Sequence, residues 1–271
     1  MEAKLQRRIQ RYGWDRAARG YETYWRLQVA PAQRLLIEMA ALRPGERVLD
    51  VACGTGLVSF AAAEAVGPQG YVLGTDISAE MVERARSRAE SHGIRHVRFE
   101  RADAEETNLP ATIFDAALCS LGLMYVPNPV AALTAMRRAL KPGGRVSVAV
   151  WGRRDRCGWA GIFPIVDARV QSEVCPAFFQ LGTADALRIA MEAAGLSNVE
   201  TGRITTRLDY ETPEDALGAA FYGGPVALAY SRFDERTRAE AHEEYLASIE
   251  PYRTGGGYAI PGEFVVARGR A

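Results

Sequence analysis

The stretch VLDVACGTG, residues 48–56, sets the acid Asp50 just ahead of Gly54 and Gly56. A strand that breaks into a glycine-rich turn and then a helix lets backbone N–H groups approach a nucleotide-like ligand, so the glycines leave several ligands open. Two are disfavoured by what surrounds them. The dinucleotide pattern G-x-G-x-x-G meets Ser59 at its third place, and the phosphate loop G-x-x-x-x-G-K-[ST] finds no lysine nearby. Asp50 would repel a phosphate at that point and suits a ligand that carries positive charge. Two further acids recur at strand ends, Asp76 in GTDIS and Asp103 in RADAEE. A carboxylate at the end of a strand can accept hydrogen bonds from a ligand, and each hydrogen bond to a charged group contributes about 1.5–3 kcal/mol. Alone, each acid reads as an ordinary turn residue; together at these places they read as a ligand site.

Other chemistry is sparse. Cys53, Cys119, Cys157 and Cys175 form no CxxC pair and no zinc spacing, which suits free thiols in a reducing compartment. Cys53 and Cys119 read as small packing residues. His92 falls in the last turn of a helix, His96 opens a strand and His242 lies in a charged helix, so all three read as helix-end or surface residues. No catalytic base and no metal site is assigned.

The elements that must position these residues alternate from about residue 46. RVLDVA is a strand, LVSFAAAEAV a helix, YVLGTD a strand, and SAEMVERARSRAESHG a helix with Ser78 as N-cap and Gly93 as its stop. VRFERAD and FDAALCSL are strands, PVAALTAMRRAL a helix, and GRVSVAVWG a strand entered through KPGG. This alternation predicts an α/β fold with a doubly wound, Rossmann-like parallel sheet. Thr183 is expected to cap ADALRIAMEAAG, followed by the strand NVETGRITTRLDY. Thr212 and Pro213 open a helical insertion before the closing strand YAIPGEFVVARGR.

The chain has 271 residues, of which 48% are hydrophobic and 24% charged, enough for a substantial core. With 33 basic and 33 acidic residues it has a formal net charge of +0, which supplies no overall field to draw nucleic acid or an anionic membrane. Only Lys4 and Lys141 are lysines; the arginines are scattered and read as composition. No stretch has the roughly 18 uninterrupted apolar residues of a membrane span. The arginine-rich start carries Glu2, Asp15 and Glu22 and lacks a signal-peptide core, so a soluble cytoplasmic protein is expected.

In order and spacing, VLDVACGTG, GTDIS, RADAEE, FDAALCSLGLMYVPNP and LKPGGRVSVAVWG resemble the class I S-adenosylmethionine-dependent methyltransferases, in the small-molecule branch that includes the quinone-biosynthesis C-methyltransferases. The resemblance covers about residues 40–152 and implies a single methyltransferase domain over 1–271. Within it, 1–42 would be an N-terminal helical lid, 43–152 the cofactor-binding core, 153–212 the rest of the core, 213–256 a helical insertion and 257–271 a last, antiparallel strand. The implied cofactor is S-adenosylmethionine. Ala52, Gly54 and Gly56 would lie along its methionine part, with Asp50 near the ammonium or an ordered water. Asp76 would take the ribose, Ile77 would pack on the adenine, and Asp103 and the Ala104 N–H would meet the adenine edge. Cys119 and Ser120 would stand beside the methyl group.

The implied acceptor is a small hydrophobic or aromatic metabolite. Tyr21, Trp25, Met124, Tyr125, Trp151 and Tyr222 are the aromatic and apolar residues expected to line its pocket or, on the other reading, to form the cores of the covering helices. CGWAGIFPIVDARVQSEVCPAFF is a further covering stretch. LGLMYVPNP stands where relatives carry a histidine-containing LHHVPDP, which removes one candidate catalytic group, and no N/D-P-P-Y/F follows the fourth strand, so methylation of nucleic-acid bases is unsupported. Two alternatives stay open: a catalytically silent S-adenosylmethionine-binding protein, and a metalloid methyltransferase using Cys157 and Cys175. An apolar face on the insertion would favour a homodimer or a lid.

Overall fold

The structure is a computed structural model that describes residues 2–105, 111–170, 175 and 177–271. Glu106, which ends RADAEE, and residues 171–174 and 176 of the covering stretch lie outside the described residues. Two helices come first, α1 (Ala3–Ala17) and α2 (Tyr21–Ala40). The alternating core follows: β1 (Arg47–Val51), α3 (Leu57–Val66), β2 (Tyr71–Asp76), α4 (Ala79–Ser91), β3 (Val97–Arg101), β4 (Phe114–Ser120), α5 (Pro129–Ala139) and β5 (Leu140–Trp151). Then come α6 (Ile162–Asp167), α7 (Ala186–Ala193), β6 (Ser197–Tyr210), α8 (Pro213–Leu217), α9 (Ala227–Tyr230), α10 (Glu235–Ile249), β7 (Arg253–Thr254) and β8 (Gly257–Arg270).

The strands form one sheet in the order β3-β2-β1-β4-β5-β8-β6, with β7 paired to β8. β1 to β5 run parallel, whereas β8 lies antiparallel between β5 and β6. EFVVARG thus belongs to the antiparallel strand expected of it. β1, at the centre, is apolar and almost wholly buried, as a strand covered on both faces must be. Chain order reverses at β1, because β2 and β3 extend to one side and β4 and β5 to the other. A crevice must open beyond the strand C-termini at such a switch point.

Local signals place the helices on that frame. Ser78 Oγ accepts from Met81 N at 3.1 Å and starts α4 just after Asp76. Asn128 and Thr212 cap α5 and α8 in the same way, each followed by proline at the first helical position. Thr183 differs from expectation. Its Oγ1 donates to Phe179 O at 2.9 Å, and Asp185 occupies the N-cap place of α7 without a side-chain cap bond. The intervening residues stay in turn conformation, with Ala184 at φ 48°, so the helix starts later than the threonine suggests. In the insertion 213–256, Tyr222 is the large hydrophobic side chain left exposed, so among the described residues that segment presents no broad apolar face.

Candidate functional site

The turn after β1 is shaped for close approach. Cys53 N donates to Thr75 O and Gly56 N to Cys53 O, each at 2.9 Å, which folds the chain back before α3 begins. Gly56 sits at φ 87°, and a Cβ there would lie 2.9 Å from Phe60 and 3.0 Å from Phe99. Ala52 (φ 56°) and Leu121 (φ 58°) hold left-handed backbone without being glycine. Both line the crevice. Backbone strain of this kind concentrates at ligand sites. The ends of β1 and β4 also touch: a Cβ on Gly122 would fall 2.3 Å from that of Ala52.

A cavity enclosing about 710 Å³ of atom-free space, its mouth included, opens beyond these ends. Asp76 is the carboxylate set into its wall. It is 8% exposed; one oxygen accepts from Gly54 N at 2.9 Å and the other from Ser78 N at 2.8 Å. A carboxylate offers about four lone-pair directions, so two stay free for a ligand's vicinal hydroxyls. Burial raises its pKa to about 6, against the lowering effect of the Ser78 and Gly54 N–H groups, and the Asp15 charge adds to the rise.

Asp103 lines the same cavity, accepting from Glu105 N at 2.9 Å and pairing with Arg7 at 3.2 Å. Asp50 is fully buried behind the turn. It accepts a 2.5 Å hydrogen bond from Ser59 Oγ, while its other oxygen has no partner among the described residues. Burial lifts its pKa to about 7; the Ser59 bond opposes this and the Asp76 charge reinforces it.

Of the residues singled out for a cofactor, Ala52, Gly54, Asp76, Ile77, Asp103 and Ala104 line this one cavity. Asp50, Gly56 and Cys119 stand behind its wall. Cys119 is 1% exposed, with its thiol pushed up to about 12 by burial and by Asp50; its neighbour Ser120 lines the cavity instead, its hydroxyl oxygen buried and without a partner among the described residues. Among the aromatic candidates Tyr21 and Tyr125 line the cavity.

Trp25 and Trp151 line a second compartment of about 330 Å³ atom-free space. That compartment shares Trp14, Tyr21, Leu121 and Tyr125 with the first, so the two adjoin. Met124 is buried beside them in the core, and Tyr222 lies outside both, bonded to Tyr230 Oη at 3.0 Å.

The N-terminal helix contributes a side of the cavity that the sequence reading did not name. Arg7, Gln10 and Trp14 recur at helical spacing and all line it. Polar contacts seat the helix there: Arg7 to Glu105 at 3.0 Å, Ser78 Oγ donating to Asp15 at 2.6 Å, and Gln6 donating to Tyr125 O at 3.2 Å. The spacing of Arg7, Gln10 and Trp14 was the available signal, masked by the high charge of the segment. Trp159 and Phe178 of the second compartment belong to the covering stretch CGWAGIFPIVDARVQSEVCPAFF, in which the sequence reading singled out no aromatic residue.

None of the three histidines lines either compartment. His92 caps the end of α4, His96 Nε2 meets Ala63 O at 3.1 Å and His242 Nε2 meets Tyr230 Oη at 2.9 Å. Among the described residues no three His, Cys, Asp or Glu groups come together to hold a metal ion, and no helix is long and apolar enough to cross a membrane.

Comparison with known proteins agrees with this geometry. Residues 42–157 match the family model described as a methyltransferase domain. The chain is 41% identical to aklanonic acid methyltransferase DauC of Streptomyces sp. (strain C5) over 128 residues, covering 46% of this chain and 58% of that one. It is 42% identical to the ubiquinone/menaquinone biosynthesis C-methyltransferase UbiE of Ectopseudomonas mendocina over 117 residues, covering 43% of this chain and 46% of that one. The chain thus spans about half the length of these two relatives.

Nocamycin O-methyltransferase of Saccharothrix syringae matches over 262 residues at 27% identity, covering 90% of this chain and 91% of its own. In fold, the chain resembles the crystal structure of YcgJ from Bacillus subtilis with a TM-score of 0.62 at 19% identity, covering 89% of this chain and 98% of that one. The glycine turn and the acids at the strand ends therefore fall within one matched segment: residues 42–157 are similar to the methyltransferase domain, and the chain shares its fold with YcgJ.

Proposed function

We propose that this chain binds S-adenosylmethionine in the larger cavity and transfers its methyl group to a small hydrophobic or aromatic acceptor. The observation that carries the reading is Asp76, a buried carboxylate in the cavity wall, fixed by two backbone N–H groups and with lone pairs to spare. The residues present fit the cofactor. Acids dominate this part of the wall, its Arg7 is engaged by Asp103 and Glu105, and Ser120 offers an unpartnered hydroxyl. Such a wall suits a ligand with a sulfonium, an ammonium and a ribose and is poorly suited to a diphosphate.

Bound there, S-adenosylmethionine supplies an already activated methyl group on its sulfonium. Asp76 would accept from the ribose, Ile77 would pack on the adenine, Asp103 and the Ala104 N–H would meet the adenine edge, and Ala52 and Gly54 would lie along the methionine part, with Gly56 keeping the turn tight behind the wall. Asp50 acts from behind the turn on the ammonium, directly or through a water. Tyr21 and Tyr125 stand where the two compartments meet, exclude water and align the acceptor. The Tyr21 hydroxyl is held protonated, because burial and the nearby Asp76 and Glu22 charges push its pKa up. No general base is assigned; alignment of a nucleophile against an activated methyl group carries the reaction.

Incubation with methyl-labelled S-adenosylmethionine and a set of phenols and naphthols tests this. Labelled product together with released S-adenosylhomocysteine supports it. Tight cofactor binding with no transfer to any acceptor would favour the silent binding protein instead. The metalloid alternative lacks support: the Cys157 and Cys175 thiols are both pushed up to about 12, chiefly by burial, and so stay protonated near neutral pH.

A further inference from the structure

The second compartment is walled by aromatic faces and by no charged side chain. Trp25, Trp151 and Trp159 meet edge to face, with ring centroids 4.8–5.9 Å apart, and Phe178 closes the group against Trp159 at 5.6 Å. A buried indole N–H ordinarily has a partner. Trp25 has one, donating to Ala219 O at 3.2 Å. Trp159 is 4% exposed and its Nε1 has no partner among the described residues. Indole nitrogen only donates, so what completes it must bring a lone pair.

We propose that this compartment receives the flat ring of the acceptor and that the Trp159 Nε1–H donates to an oxygen carried on that ring. The inference rests on the methyl-transfer reading and narrows it. The acceptor is a neutral, oxygenated aromatic: a carboxylate or ammonium would be desolvated there without a counter-charge, and a bare hydrocarbon would leave the indole N–H unpaired. Trp159 is then a specificity-determining residue. It discriminates by the oxygen, whereas Trp25 and Trp151 supply ring surface.

The test uses 1-indanone and indane, which share a skeleton and differ in the ketone oxygen, titrated by calorimetry into the full chain with and without S-adenosylhomocysteine. The wild type is expected to prefer indanone by about fivefold, the effect of one net hydrogen bond of about 1 kcal/mol. Trp159→Phe should abolish that preference while binding S-adenosylhomocysteine as the wild type does, and Trp25→Phe should keep it. A role in packing alone would lower both affinities together and leave their ratio unchanged. The proposal is overturned if Trp159→Phe retains the preference, or if the wild type shows none, a result that requires no variant to fold. Failure of S-adenosylhomocysteine to bind would instead strike the cofactor reading, and the titrations without it still read the preference.

Discussion

Asp50→Asn should stabilise the ligand-free protein, and by an amount that grows with pH. Asp50 is fully buried and bonded on one side to Ser59, and among the described residues its other oxygen has no partner and no cation stands beside it to offset its charge. Burial is the main cause of the rise in its pKa from 3.8 to about 7. Between those values the native state binds more protons than the unfolded state, so stability falls as pH rises through that window and levels off above it. Each unit corresponds to about 1.4 kcal/mol, so the penalty is about 1.5 kcal/mol at pH 5 and about 4 kcal/mol at pH 8. Asparagine keeps an acceptor for Ser59 and carries no charge.

Urea unfolding of both proteins at pH 5 and pH 8 isolates this effect, because other titrating groups cancel in the difference. The stability gap between variant and wild type should widen in the variant's favour by about 2.5 kcal/mol from pH 5 to pH 8. A gap that stays constant, or that narrows, would refute the reasoning. Cofactor affinity should move the other way, since on the proposed reading the ligand's ammonium would compensate Asp50.

Two further outcomes follow from the same geometry. Affinity for S-adenosylmethionine should fall by about tenfold between pH 7.5 and pH 5, because protonation of Asp76, whose pKa is raised to about 6, converts an acceptor into a donor at the ribose; titration across that range checks it. Gly56→Ala should cost about 1–2 kcal/mol for left-handed backbone alone, with the clash against Phe60 and Phe99 adding to it, read as a lower urea midpoint.

Much of this architecture was legible in the sequence because β1 to β5 are short apolar runs that alternate with helical segments. LVSFAAAEAV and YVLGTD coincide with α3 and β2, and Ser78 caps α4 as its side chain suggests. Thr183 was misleading because a hydroxyl near a helix start has several backbone partners, and Phe179 O won. At the site, Asp76 and Asp103 were readable since strand-end acids follow the sheet. Cys119 and Ser120 were named together at the end of β4; strand alternation turns the Cys119 side chain into the core and Ser120 toward the cavity. Arg7, Gln10, Trp14 and Trp159 were not singled out within the segments expected to cover the site, because helical spacing marks a face but not where α1 and the segment after β5 dock.

The most direct measurement is calorimetric titration of S-adenosylmethionine into the wild type and Asp76→Ala, each shown to unfold cooperatively. Loss of two hydrogen bonds to a charged group, about 3 kcal/mol or more, predicts binding weakened at least about a hundredfold. Equal affinity in the two proteins, or no binding by the folded wild type, would contradict the account.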